Sequence, residues 1–126
     1  MTKLTEGRHP GEFLLSEANF HRSRGKATIV AGTGVFQPGT VIGVITASKK
    51  HAPSPAASTT GIEGAQTATA ITLYGGDATS EDVEVATIDS DAEVKGFALV
   101  LDPSVDTDAK RTTKFTQLGA LGVKVR

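Results

Sequence analysis

Three histidines, His9, His21 and His51, are the side chains best suited to move a proton near neutral pH. Serine and threonine are abundant, so a Ser-His-Asp set can always be drawn on paper. No G-x-S-x-G sequence exists, however, to lift a serine out of a sheet as a nucleophile. All three histidines fall in stretches that read as arm or loop, where no rigid element would aim them. His9, Glu12 and His21 match no compact metal-ligand spacing, and H-E-x-x-H is absent. Asp89-Ser-Asp91-Ala-Glu93 opens like a calcium loop, but Val94 stands where the sharp turn needs Gly and no Glu closes the loop. It reads as a solvated connection between strands. Gly32-Thr-Gly34 lacks the third glycine of a dinucleotide turn, since Gln37 occupies that place, so these glycines read as turn formers. Glu81, Asp82, Glu84 and Asp89 lie in a polar run with no apolar pocket to raise a carboxyl pKa. With no cysteine, thiolate chemistry is excluded. The expectation is a chain that is not an enzyme and has no catalytic, cofactor-binding or metal site.

Charge narrows the partners. The chain has 126 residues with 13 basic and 14 acidic side chains, a net charge of −1. Binding phosphates needs a concentrated positive field, so neither nucleic acid nor an anionic membrane is expected as a partner. Arg22, Arg24 and Lys26 form one small basic cluster that could steer the N-terminal region toward an acidic partner. Lys110, Arg111 and Lys114 suit the surface of a helix. No apolar run approaches the roughly 20 residues of a membrane span, and Met1-Thr-Lys-Leu-Thr-Glu lacks a signal-peptide core. A soluble protein made in the cytoplasm is expected.

The elements follow from periodicity. Residues 1–24 hold one short apolar cluster, Phe13 to Leu15, among polar and turn-forming residues, and read as a flexible arm, either a frayed terminus or a segment that could order on a partner with that cluster as its anchor. Residues 25–126 read as one β-rich domain. Strands are expected at Ala27 to Ala31, at Val41 to Thr46 after the Pro38-Gly39 turn, at Thr69 to Tyr74, at Val83 to Ile88 and at Val94 to Leu101. Gly43 marks a bulge or a close backbone approach. Residues 47–66 read as a long loop rich in Pro, Ser and Ala. One helix follows, capped by Asp106 or Asp108, with Ala109, Thr112, Phe115 and Leu118 on one face and Gly119 as its stop. Gly122 to Arg126 forms a last short strand. The fold class is mainly β with one C-terminal helix (α+β).

Five stretches, in order, resemble one known family. They are Glu12-Phe-Leu-Leu-Ser-Glu-Ala-Asn19 with His21-Arg22-Ser23-Arg24, Phe36-Gln-Pro-Gly-Thr-Val-Ile-Gly-Val-Ile-Thr46, Ala70-Ile71 leading to Tyr74-Gly-Gly-Asp-Ala-Thr79, Asp91-Ala-Glu-Val94, and Leu118-Gly-Ala-Leu-Gly-Val-Lys-Val125-Arg126. Together they resemble the lambda-type head decoration proteins of tailed bacteriophages. The resemblance implies a β-clip-like domain that forms a homotrimer at local threefold positions on the outer surface of the expanded capsid. There it would stabilise the shell against the pressure of packaged DNA. It also implies that the arm orders on the major capsid protein by extending a sheet, with Glu12, Phe13, Leu14, Leu15, Ser16, Asn19, Arg22 and Arg24 as the capsid-binding residues. The alternative is a small carbohydrate- or ligand-binding β domain of a virion fibre or adhesin. Sugar platforms favour exposed Trp and Tyr, and this chain has no Trp and one Tyr.

Overall fold

A computed structural model describes residues 5–126. Its centre is a closed barrel of five short strands: β2 (Arg24–Ile29), β4 (Val41–Val44), β5 (His51–Pro53), β6 (Ala70–Thr72) and β8 (Val83–Ile88). Around the barrel they run β2-β5-β4-β6-β8, and β8 closes on β2 through an antiparallel register from Arg24 opposite Ile88 to Ile29 opposite Val83. β2 and β8 are rich in alternating apolar and polar residues, and each turns its apolar set inward. Ala27, Ile29, Val85 and Ile88 are buried. β3 (Gly34–Phe36) and β7 (Gly76–Ala78) form a two-stranded ribbon.

A second sheet places the N-terminus. β1 (Leu14–Glu17) pairs antiparallel with β9 (Ala92–Val94), and β10 (Val123–Val125) pairs parallel on the other side of β9. Between this sheet and the barrel lies the largest core cluster. It joins Phe13, Val41, Ile71, Leu73, Ile88, Val94, Leu118 and Val123. The only α-helix among the described residues, α1 (Asp108–Gly119), contributes Leu118 to this cluster, with Phe115 packed against it.

Phe13 is the largest fully buried side chain. Its ring lies against Gly39, where an added Cβ would come within 3.3 Å of the ring and 3.1 Å of the Ala98 carbonyl. Gly39 also has φ +88°. The Pro38-Gly39 turn therefore needs glycine twice, for its backbone angle and for the space Phe13 occupies. Gly43 is a close approach, as its position suggested: a Cβ there would sit 2.2 Å from the Ala65 carbonyl.

Several expectations shift. The arm does not extend to residue 24. Residues 1–4 of that segment lie outside the described residues, residues 5–10 are exposed, and the fold begins at Gly11. Phe13 gives the segment a buried anchor, and β9 takes up its backbone hydrogen bonds, so the short apolar cluster orders within its own chain. The expected strand at Val94 to Leu101 stops at Val94. Residues Gly96–Ala98 turn into a single 3-10 turn, and Phe97 points outward at 81% exposure. The expected 47–66 loop contains β5, which puts His51 on the barrel rather than in a loop. Thr107, not Asp106 or Asp108, caps α1, its side chain accepting from the Lys110 amide at 3.3 Å. The helix does end at Gly119, as expected, and Gly122 at φ +84° supplies the left-handed residue in the turn that follows.

Phe13→Ala should therefore act as a core deletion, costing about 3–5 kcal/mol in urea unfolding. A loss below about 1 kcal/mol would show that the N-terminal segment lies outside the core. His51 gives the barrel a pH dependence. Its Nδ1 is buried without a partner, and burial pulls the imidazole below its ordinary pKa. The unfolded chain then binds the proton more readily, so stability falls as pH drops through about 6.5 toward the lower folded value. His51→Gln should flatten that part of a stability profile, and an unchanged slope would assign it to other groups.

Candidate functional site

The eight residues expected to bind a partner divide into two groups. Phe13 and Leu14 serve the chain's own core, Phe13 fully buried and Leu14 packed against the cluster around it. Glu12 is half-buried, with the Arg8 guanidinium 3.7 Å away. Leu15, Ser16 and Asn19 face solvent, as do the two arginines, each of which already has an acidic partner. Arg24 donates twice to Glu17, at 2.9 and 2.8 Å, and holds that carboxyl below its usual pKa. Arg22 lies 3.9 Å from Asp91. The basic cluster is thus neutralised locally, and it offers an acidic partner less than the sequence suggests.

What remains is an edge. In the sheet β1-β9-β10, β1 pairs only with β9, so its outer row of backbone groups faces away from any strand of the sheet. A bulge between Leu14 and Ser16 breaks the register with β9. Leu15, 48% exposed, sits at that irregularity. Beside the strand, Pro10, Gly11, Leu14, Arg24, Leu73 and Tyr74 line a recess of about 190 Å³. An edge of this kind accepts an extended segment through main-chain hydrogen bonds, and a neighbouring recess can receive a side chain.

The connection from β1 to β2 adds an aromatic residue that sequence reasoning missed. Phe20 is 92% exposed and has φ +60°. A bulky side chain rarely adopts that angle, so the surrounding structure must hold it. Ser23 does so: its buried hydroxyl accepts from the Ala18 amide at 2.8 Å and donates to the Asp91 carbonyl at 2.7 Å. The signal in the sequence was a large apolar residue inside a polar turn, Ala18-Asn19-Phe20-His21.

Ahead of Gly11 the chain crosses an open cleft of about 450 Å³ lined by Arg8, His9, Lys95 and Phe97. Two of its polar side chains are engaged within the chain. Arg8 donates to the Ala98 carbonyl, and His9 lies 2.8 Å from Glu6. Among the described residues no three His, Asp or Glu side chains gather where they could hold a metal ion. His51 stands apart in β5. Among the described residues no helix is long and apolar enough to cross a membrane. Around β1 the surface thus presents an open strand edge, the exposed apolar side chains of Leu15 and Phe20, and a leading segment.

No curated protein matches the chain. The family model described as bacteriophage lambda head decoration protein D matches residues 3–123. That span includes the barrel, β1, β9 and the helix and reaches the start of β10, so the chain belongs to the bacteriophage lambda head decoration protein D family and is a capsid decoration protein.

Proposed function

We propose that this protein is a structural component that binds the outer face of the expanded phage head as a homotrimer and holds neighbouring shell subunits together. Family membership over residues 3–123 carries the reading, and the open edge of β1 supports it physically. The partner is the major capsid protein. The contact surface is β1 with Leu15 and Ser16, the turn bearing Asn19 and Phe20, and the segment that precedes Gly11. A strand of the shell adds to β1 through main-chain hydrogen bonds, and Leu15 and Phe20 bury apolar surface against it. Arg22 and Arg24 position the turn through Asp91 and Glu17 rather than acting as free charges.

The action is mechanical. A ligand that binds only the expanded shell stabilises that shell in proportion to its binding free energy. Three chains in one trimer bind as a unit, so a modest contact from each becomes tight retention. The shell then resists the outward pressure of packaged DNA. Neither a cofactor nor a bond-making step is needed.

Two measurements test this reading. Removing residues 2–10, which precede the buried anchor, should leave the far-UV spectrum and melting temperature essentially unchanged. Together with Leu15→Asp it should weaken co-sedimentation with expanded heads by about tenfold or more. Normal binding by the doubly altered protein would move the contact elsewhere. Light scattering on the full chain should give three times the 13.0 kDa chain mass. A monomer at high concentration would remove the multivalent part of the mechanism.

A further inference from the structure

Helix α1 buries a charge that capsid binding does not use. Lys114 is 1% exposed. Its Nζ donates to the Ser54 hydroxyl oxygen at 2.8 Å, to the Pro55 carbonyl at 2.6 Å and to the Gln66 carbonyl. An ammonium has three donors, and all three are used. The acceptors are neutral. Asp102, in the connection leading to α1, is the charged side chain whose field reaches the site, and it favours the protonated form that burial opposes. On the loop itself, the Glu63 carboxylate accepts from the Gly61 amide at 3.1 Å. Lys110, one turn earlier on α1, is tied to Asp106 at 2.9 Å. A buried charge is costly unless its hydrogen bonds are satisfied, so this cage must hold its shape for the lysine to stay there.

The positions of the acceptors give the cage its consequence. Ser54 and Pro55 open the irregular segment that follows β5, and Gln66 closes it. Ser54 also donates to the Ala65 carbonyl at 2.7 Å, drawing the same two ends together. Between them residues 57–61 and Glu63 are exposed. The segment has the form of a compact surface loop whose ends meet. A second side chain of α1, Gln117, accepts from the Ala68 amide at 2.8 Å just beyond the loop.

We infer that Lys114 is a latch. Its ammonium ties both ends of the 54–66 loop to helix α1 and gives a loop of small polar residues one fixed shape on the surface. This is independent of capsid binding and of the β1 edge. A methionine of similar length would fill the volume but leave two carbonyls and a hydroxyl without their donor. Loss of the ammonium proton would likewise remove one of the three donors.

Two experiments on the full chain test the latch. In Lys114→Met, hydrogen exchange at the amides of Ala56, Ile62, Ala65 and Ala68 should quicken by about tenfold or more, while barrel amides in β2 and β8 keep their protection. Unchanged exchange at those four amides would overturn the proposal. The second experiment uses the unaltered protein, so it decides the matter even if the variant does not fold. As pH rises, the carbon resonances of the Ala56, Ala57, Thr59 and Ile62 methyls should move with the Lys114 ε-carbon at a common midpoint. Loop methyls that stay fixed while Lys114 titrates would contradict it.

Discussion

The burial of Phe13 against Gly39 is the contact on which the arrangement of this protein depends. It fixes where the leading segment ends and the folded domain begins. With Phe13 in the core, β1 can only run alongside β9, and the sheet β1-β9-β10 closes over one side of the barrel. The same contact leaves the outer edge of β1 unpaired and projects the Phe20 turn from the end of that sheet. Core packing and the proposed contact surface thus meet in one short stretch, in which Phe13 turns inward and Leu15 outward.

Ordinary sheet geometry alone would not separate these two. Residues two apart in a regular strand share a face, so Phe13 and Leu15 part company because the register breaks between Leu14 and Ser16. Charged residues near the edge are spent on holding the turn, through Arg24 with Glu17 and Arg22 with Asp91. Exposed ion pairs of this kind add little stability. Their effect here is to leave the approach to β1 without a strong field of either sign, which suits the proposed recognition through main-chain hydrogen bonds and apolar contact.

Much of the fold was legible in the sequence, because most strands alternate and the helix repeats its apolar residues at helical spacing. β2, β4, β6 and β8 were visible as β-branched runs, and the Pro38-Gly39 turn as a dipeptide. What was not legible depended on distant partners. β1 looked like a disordered arm because its stability comes from β9, 75 to 80 residues away in the chain by the antiparallel register from Leu14 opposite Val94 to Glu17 opposite Ala92. Lys114 read as a surface residue, since only the return of the 54–66 loop supplies three oxygens to bury it. Phe97 looked like part of a core-facing strand until the chain turned at Gly96. Of the candidate site, the region was readable through its resemblance to a family. The split between anchor and surface was not, because Phe13 and Leu15 are equally apolar and only the pairing register tells them apart.

The most direct test of the account is a cryo-electron microscopy map of expanded heads saturated with the protein. The account predicts three chains around each local threefold position, with the outer edge of β1 and the Phe20 turn against the shell protein. It also predicts the segment before Gly11 continuing onto that protein. A map in which the β1 edge faces solvent, and the domain is held to the shell by another face, would contradict it.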